Sequence, residues 1–207
     1  NTEVLENYIR KEYPNFPIIS STTKRMTDMD SLKDELTKDY HLVVLDYDLN
    51  HNEAVLKELE PYADKLEILV NEICYPGCKM RKEHYRSESL SQLEFEMRSD
   101  FRCPNKATPR VFKECMDRPA FISNEQIGAY IDRGYVNFKI VGRGLPPQLV
   151  LESYLYFLPN DKDREFIREQ LEKGDTEGVD VRPDVTILCA ECLFGCHVLE
   201  PAEPAGL

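Results

Sequence analysis

Four short apolar runs punctuate the chain: Phe16-Pro17-Ile18-Ile19-Ser20, Leu42-Val43-Val44-Leu45-Asp46, Leu66-Glu67-Ile68-Leu69-Val70 and Val136-Asn137-Phe138-Lys139-Ile140-Val141. Each is short and rich in β-branched or aromatic residues, the pattern of a strand covered on both faces. Helical spacing fills the gaps. Val4-Leu5 and Tyr8-Ile9 open the chain as an amphipathic segment, and Leu32 and Leu36 follow caps within Asp28 to Ser31. Asn50 with Glu53 reads as a capping pair before the stripe Val55, Leu56, Leu59 and Tyr62. Ser123 and Gln126 make a capping box ahead of Ile127, Tyr130 and Ile131, with Gly134 as the stop. Pro146-Pro147 opens a further helix carrying Leu149, Val150, Leu155 and Leu158.

Strand, helix, strand, helix, strand, long insertion, helix, strand, helix is the rhythm of parallel βα units joined by right-handed crossovers, an α/β fold. Four strands cannot close a barrel. They are expected to form the C-terminal half of a TIM-type (β/α)8 barrel, with an open doubly wound sheet as the alternative. The Asn1 start favours the half-barrel, because the missing strands would then lie upstream. The domain reading is a partial barrel over 1–173 with a cysteine-bearing insertion at 74–120, then a polar linker from Gly174 to Gly178 and a Cys-rich tail to residue 207. Both architectures put chemistry at the carboxyl ends of the strands. Asp46, Asp48 and Asn71 fall there, as does Arg143 between two glycines, and all four are candidate substrate contacts. An ion pair between Arg143 and a rim acid such as Asp46 or Glu72 is the alternative for that arginine, and helix capping the alternative for the acids.

Composition narrows the partners. Lys and Arg number 26 against 38 Asp and Glu, a formal charge of −12, so a phosphate backbone is a poor partner and no nucleic acid is expected. At 42% apolar the chain has enough to build a core, and no run is long enough to span a membrane. With no signal peptide at its start, the chain reads as cytoplasmic.

Seven cysteines are the main chemical signal. Cys74 and Cys78 form a C-x3-C directly after the third strand, Cys103 and Cys115 lie in the insertion, and Cys189, Cys192 and Cys196 close the chain as C-x2-C-x3-C beside His197. An odd count without a secretory leader argues against a disulfide framework and towards reduced, metal-binding thiols. Structural zinc favours two tight C-x2-C knuckles, which the first four do not supply, whereas an iron–sulfur cluster accepts thiolates from separated loops. Burial as small apolar residues is the alternative for all of them. The final trio has metal-binding spacing of its own, with no clear fourth ligand. A radical-SAM site needs C-x3-C-x2-C, and Arg81 occupies the third position.

The order Cys74, Cys78, Cys103, Cys115, then Phe121-Ile122-Ser123, then Phe138-Lys139-Ile140-Val141-Gly142-Arg143 resembles the C-terminal half of the collagenase-like peptidase family and the related iron–sulfur ubiquinone-biosynthesis hydroxylation proteins. The resemblance covers roughly Ile18 to Leu158, and the Lys-Ile-x-Gly-Arg strand is its most specific part. Val141 stands where that strand usually has an acid, the C-x3-C is narrower than usual, and the terminal trio lies outside the pattern. The resemblance implies a TIM barrel holding one 4Fe–4S cluster on Cys74, Cys78, Cys103 and Cys115. It also implies a redox, hydroxylation or other modification reaction on a small-molecule, peptide or protein substrate, with a redox partner protein. A peptidase and a zinc-stapled interaction domain are the alternatives. No nucleophile–base pair stands out, and the catalytic residues are unassigned. Lys79, Arg81, Lys82, His84 and Arg86 form a basic run after the first cysteine pair, suited to raising a cluster's potential or to a solvated helix face.

Overall fold

The computed structural model describes residues 3–95, 101, 103, 109–142, 145–158 and 160–172, with side chains as far as 169. The chain divides into two compact units, Asn1–Tyr156 and Phe157–Leu207. The first unit contains α1 (Glu3–Glu12), β1 (Ile19–Ser20), α2 (Met29–Thr37), β2 (Leu42–Val44), α3 (Glu53–Leu59), β3 (Leu66–Leu69), α4 (Arg81–Glu94), α5 (Phe112–Met116), α6 (Asn124–Asp132), β4 (Asn137–Lys139) and nearly all of α7 (Pro147–Phe157). In the second unit the described residues form α8 (Asp161–Glu172), whose Arg164 Nε donates to the Leu158 carbonyl at 2.7 Å. The linker and the tail with Cys189, Cys192 and Cys196 lie outside the described residues, as does Arg143.

All four predicted strands are present, each shorter than its apolar run, and they form one parallel sheet in the order β1-β2-β3-β4. Ile19 pairs with Leu42, Val43 with Leu66, and Ile68 with Phe138. The two central strands are buried throughout, as sheets covered on both faces require. Glu67 is the one acid within β3; its carboxylate meets Lys139 Nζ at 3.0 Å across the diagonal to β4, which offsets its burial. The first run fails as a strand before Ile19, where Pro17 lacks a donor and Phe16 is exposed.

Helix boundaries follow local capping chemistry. Asp28 accepts from the Ser31 N–H, and the Ser123–Gln126 capping box forms in both directions. Gly134, at φ +92°, ends α6 in the left-handed region where a side chain would be strained. The cap of α3 differs from expectation. It is Asn52, which accepts from the Val55 N–H, whereas Asn50 is fully buried and donates its amide to the Leu69 carbonyl at 2.7 Å. Two asparagines two residues apart are equivalent in sequence, and burial decides between them. In α1 the polar side does the docking: Glu6 and Arg10 reach Tyr40 and Asp39, while Val4 and Tyr8 are exposed. Among the described residues no helix is long and apolar enough to cross a membrane.

Candidate functional site

The carboxyl edge of the sheet collects a buried set of charged and aromatic groups. Ser21 caps a 3-10 turn at Thr22–Lys24, and that turn ends on Arg25 in the left-handed region at φ 57°. This swings Arg25 across to the end of β2. Its Nη1 meets Asp46 Oδ1 at 2.7 Å and its Nη2 meets Asp48 Oδ2 at 2.5 Å, while the Asp48 N–H donates back to Asp46 Oδ1 at 3.0 Å. Between the two acids stands Tyr47, 1% exposed. The Arg81 guanidinium, 3% exposed at the start of α4, lies 4.1 Å from the Tyr47 ring centroid, and that of Arg25 lies 5.4 Å away. Arg81 also donates to the Tyr85 hydroxyl at 3.2 Å.

Burial tunes these groups against their charges. It pushes the Asp46 carboxyl up despite the bond from the Asp48 N–H and the field of Arg25, and it pushes Arg81 down despite Tyr85 and Asp46. Glu72, after β3, is likewise raised by burial, although the N–H groups of Cys74 and Ile73 favour its charged form. Arg25 feels the same penalty, but Asp48 and Asp46 outweigh it and hold it above its ordinary value. Several polar atoms in this region are buried with no hydrogen-bond partner: Thr22 Oγ1, Asp46 Oδ2, the Tyr47 hydroxyl, Asp48 Oδ1, Asn50 Oδ1 and Arg81 Nη2. A cleft of about 540 Å³ reaches the set, with Tyr47, Asp48, His51, Glu53, Pro76 and Pro119 among its walls.

Of the predicted substrate contacts, Asp46 and Asp48 share this cluster. Asn71 does different work: its amide donates to the Val141 carbonyl at 2.8 Å and accepts from the Val141 N–H at 2.7 Å, prolonging the β3–β4 pairing with a side chain. Sequence reading did not single out Arg25, Tyr47 or Tyr85 as site residues. Arg81 enters the sequence reading as part of the basic run after the first cysteine pair and as the residue standing where a radical-SAM cysteine would. The available signal for Arg25 was a charged residue in the polar stretch after the first strand, a place where chemistry gathers in parallel sheets.

Cys74, Cys103 and Cys115 are free thiols. Cys74 packs half-buried against the apolar cluster of Val44, Tyr47, Leu69 and Ala120. Burial, then the charges of Glu72, Cys78 and Cys103, push its thiol up to about 12. Cys115, on α5, is 1% exposed; burial raises it too, and the charges it feels are those of Arg118, Glu114 and Glu152. Among the described residues no group of three or more His, Cys, Asp or Glu is arranged to hold a metal ion. The charges of Cys78 and Cys103 reach Cys74, whereas those felt by Cys115 come from other residues. In metal-free, reduced protein at neutral pH, exposed Cys103 is expected to react with iodoacetamide well before Cys74 and Cys115. Peptide mapping after timed quenching checks that order.

The chain matches no family model, no curated protein and no solved structure.

Proposed function

We propose that this chain is an iron–sulfur protein built on half of a TIM-type barrel, and that it assists a redox, hydroxylation or related modification reaction at the carboxyl edge of its sheet. The observation that carries the reading is the C-x3-C turn of Cys74 and Cys78 at the end of β3, with the Cys103 charge reaching Cys74. Strand order supports the barrel half: four parallel strands in sequential order are what an unbroken run of βα units produces, whereas a doubly wound sheet reverses direction at its switch point. The ligands would be Cys74, Cys78 and Cys103, with Cys115 as the fourth through the family resemblance. A bound cluster supplies one-electron chemistry.

The chain's own groups supply the rest. Asp46 and Glu72, both raised by burial, are suited to retain or pass a proton. Arg25 and Arg81 hold positive charge beside them in a largely dry setting, and the cleft over Tyr47 gives a small substrate a way in. The same rim would therefore hold both the electron-transferring centre and the reacting molecule.

Anaerobic purification from iron-replete cells is expected to give brown protein with about four iron per chain, and Cys74→Ala is expected to lose that iron. Colourless protein with stoichiometric zinc would discard the reading. Because the Cys74 thiol is held high and a ligand must be a thiolate, cluster assembly should release protons and proceed faster as pH rises.

A further inference from the structure

We propose that the exposed rings of Tyr8, Tyr13 and Phe16 form a docking surface for a proline-rich peptide segment in the polyproline II conformation. The surface precedes β1, at the opposite end of that strand from the polar rim, so the inference is independent of the iron–sulfur reading.

The segment between α1 and β1 builds the surface. The Tyr13 N–H donates to the Ile9 carbonyl at 2.8 Å, and the Phe16 N–H donates to the Tyr13 carbonyl at 3.0 Å. These bonds fold the chain so that the rings meet edge to face. Tyr8 and Tyr13 have centroids 6.3 Å apart at 65°, and Tyr13 and Phe16 lie 5.8 Å apart at 75°. All three are open to solvent, with Tyr8 54%, Tyr13 50% and Phe16 65% exposed. Phe16 also borders a groove of about 570 Å³, with Pro14, Pro17 and Ile18 among its walls. The rings are therefore held in place before any ligand arrives.

Area selects the occupant. A buried aromatic side chain contributes roughly 150–250 Å², so the exposed shares of the three rings come to roughly 250–400 Å². Val4, one helical turn before Tyr8, widens the patch without closing the gap to the roughly 800 Å² per partner of a stable protein interface. A second copy of the chain or another folded domain would gain too little here to offset its lost freedom. A small contact can hold an occupant that has little conformational freedom to lose. A proline-rich segment already rests in polyproline II before it binds, and its rings pack on aromatic surfaces of this kind.

The polar groups agree. Proline has no N–H, and polyproline II leaves its carbonyls unbonded, so such a ligand brings backbone acceptors alone. The surface can answer with donors: the phenols of Tyr8 and Tyr13, and the amide of Asn15 in the groove wall. The groove's arginine and aspartate are already joined, Arg10 Nη1 lying 3.1 Å from Asp39 Oδ2, which suits an uncharged backbone.

The test is titration of the full chain with acetylated, amidated decaproline, followed by amide chemical shifts, beside a Gly-Ser peptide of equal length. Decaproline is expected to give saturable shifts centred on residues 8–18, and the Gly-Ser peptide none. Phe16→Ala is expected to weaken binding about tenfold, the order set by losing one ring from the contact. Tyr13→Phe keeps the ring and loses the hydroxyl, and is expected to weaken it about fivefold. Both positions are exposed, and a circular dichroism spectrum checks the fold of each variant. If Phe16→Ala fails to fold, Tyr13→Phe and the comparison of the two peptides on the unaltered protein still decide. No saturable binding of decaproline, equal binding of the Gly-Ser peptide, or decaproline binding untouched by the variants would overturn the proposal. So would a dimer in sedimentation, or binding to phosphatidylcholine–phosphatidylserine vesicles, that Phe16→Ala abolishes, since the patch would then serve a second copy or a lipid surface.

Discussion

Glu35→Gln is expected to destabilise the protein by about 3 kcal/mol at neutral pH, the largest effect of any single charge removal outside the rim. Glu35 is 3% exposed on α2, and burial alone would raise its carboxyl. Lys24, Lys38 and Ser20 reverse this: Lys24 Nζ binds Oε1, Lys38 Nζ lies 2.8 Å from Oε2, and the Ser20 hydroxyl donates to Oε1 at 2.5 Å, bringing the group from 4.5 to about 2. At about 1.4 kcal/mol per tenfold change in proton affinity, that depression corresponds to about 3 kcal/mol. The folded value lies below the unfolded one, so this stability is fully present above about 4.5 and is lost as pH falls through about 2. Urea denaturation at pH 7 and pH 3 checks the sign: the gap between wild type and variant must be wide at pH 7 and narrower at pH 3. A gap that stays constant would mean that Glu35 acts by shape, not charge.

The network extends beyond the carboxylate. Lys24 donates to the Tyr40 hydroxyl at 2.9 Å, and Tyr40 donates to Glu6 Oε2 at 2.9 Å, so α1 is joined to the sheet through this chain of polar contacts. Loss of the Glu35 charge therefore weakens the hold on Lys24 and Ser20 and, through Lys24 and Tyr40, the attachment of α1.

Arg25→Met is expected to cost on the order of 3–5 kcal/mol at neutral pH, because it strands Asp46 as a buried acid without its counter-ion. The deficit again narrows in acid, although Asp46, unlike Glu35, is an acid held above its ordinary value. Asp46 is already raised above 3.8, and removing the guanidinium raises it further. A buried acid whose folded value exceeds its unfolded value costs stability as pH rises through the folded value, and that cost is relieved on acidification. The variant should therefore approach wild-type stability as pH is lowered towards 4. Thermal melts across that range check it, and a deficit that deepens in acid would remove Asp46 from the account.

Much of the architecture was legible because it is set by near neighbours. A cap is a bond between a side chain and an amide two or three residues away, so Asp28 and the Ser123–Gln126 box announced α2 and α6 directly. Apolar runs of strand length gave the four strands, and their alternation with helical stripes gave the parallel sheet. The site was legible only in outline. That the strand ends carry polar groups was readable, and the two acids singled out there, Asp46 and Asp48, both pair with Arg25.

What the sequence could not supply are partnerships between residues far apart in the chain. Glu35 sits between Leu32 and Leu36 and reads as an ordinary polar position; its low value comes from Lys24 and Lys38 and then from Ser20, and Lys24 and Ser20 reach it only because β1 and the turn after it lie beside α2. Asn71 reads as a residue facing the mouth, and it is committed instead to Val141, seventy positions away. Arg25 and Arg81, more than fifty positions apart, flank one tyrosine ring only because the loops after β1 and β3 return to the same edge. Local sequence determined the elements and their order, since hydrogen bonding and periodicity act over a few residues. Tertiary structure alone decided which polar groups were buried, because the cost of burying a charge and the partner that offsets it arise only when distant segments close upon each other.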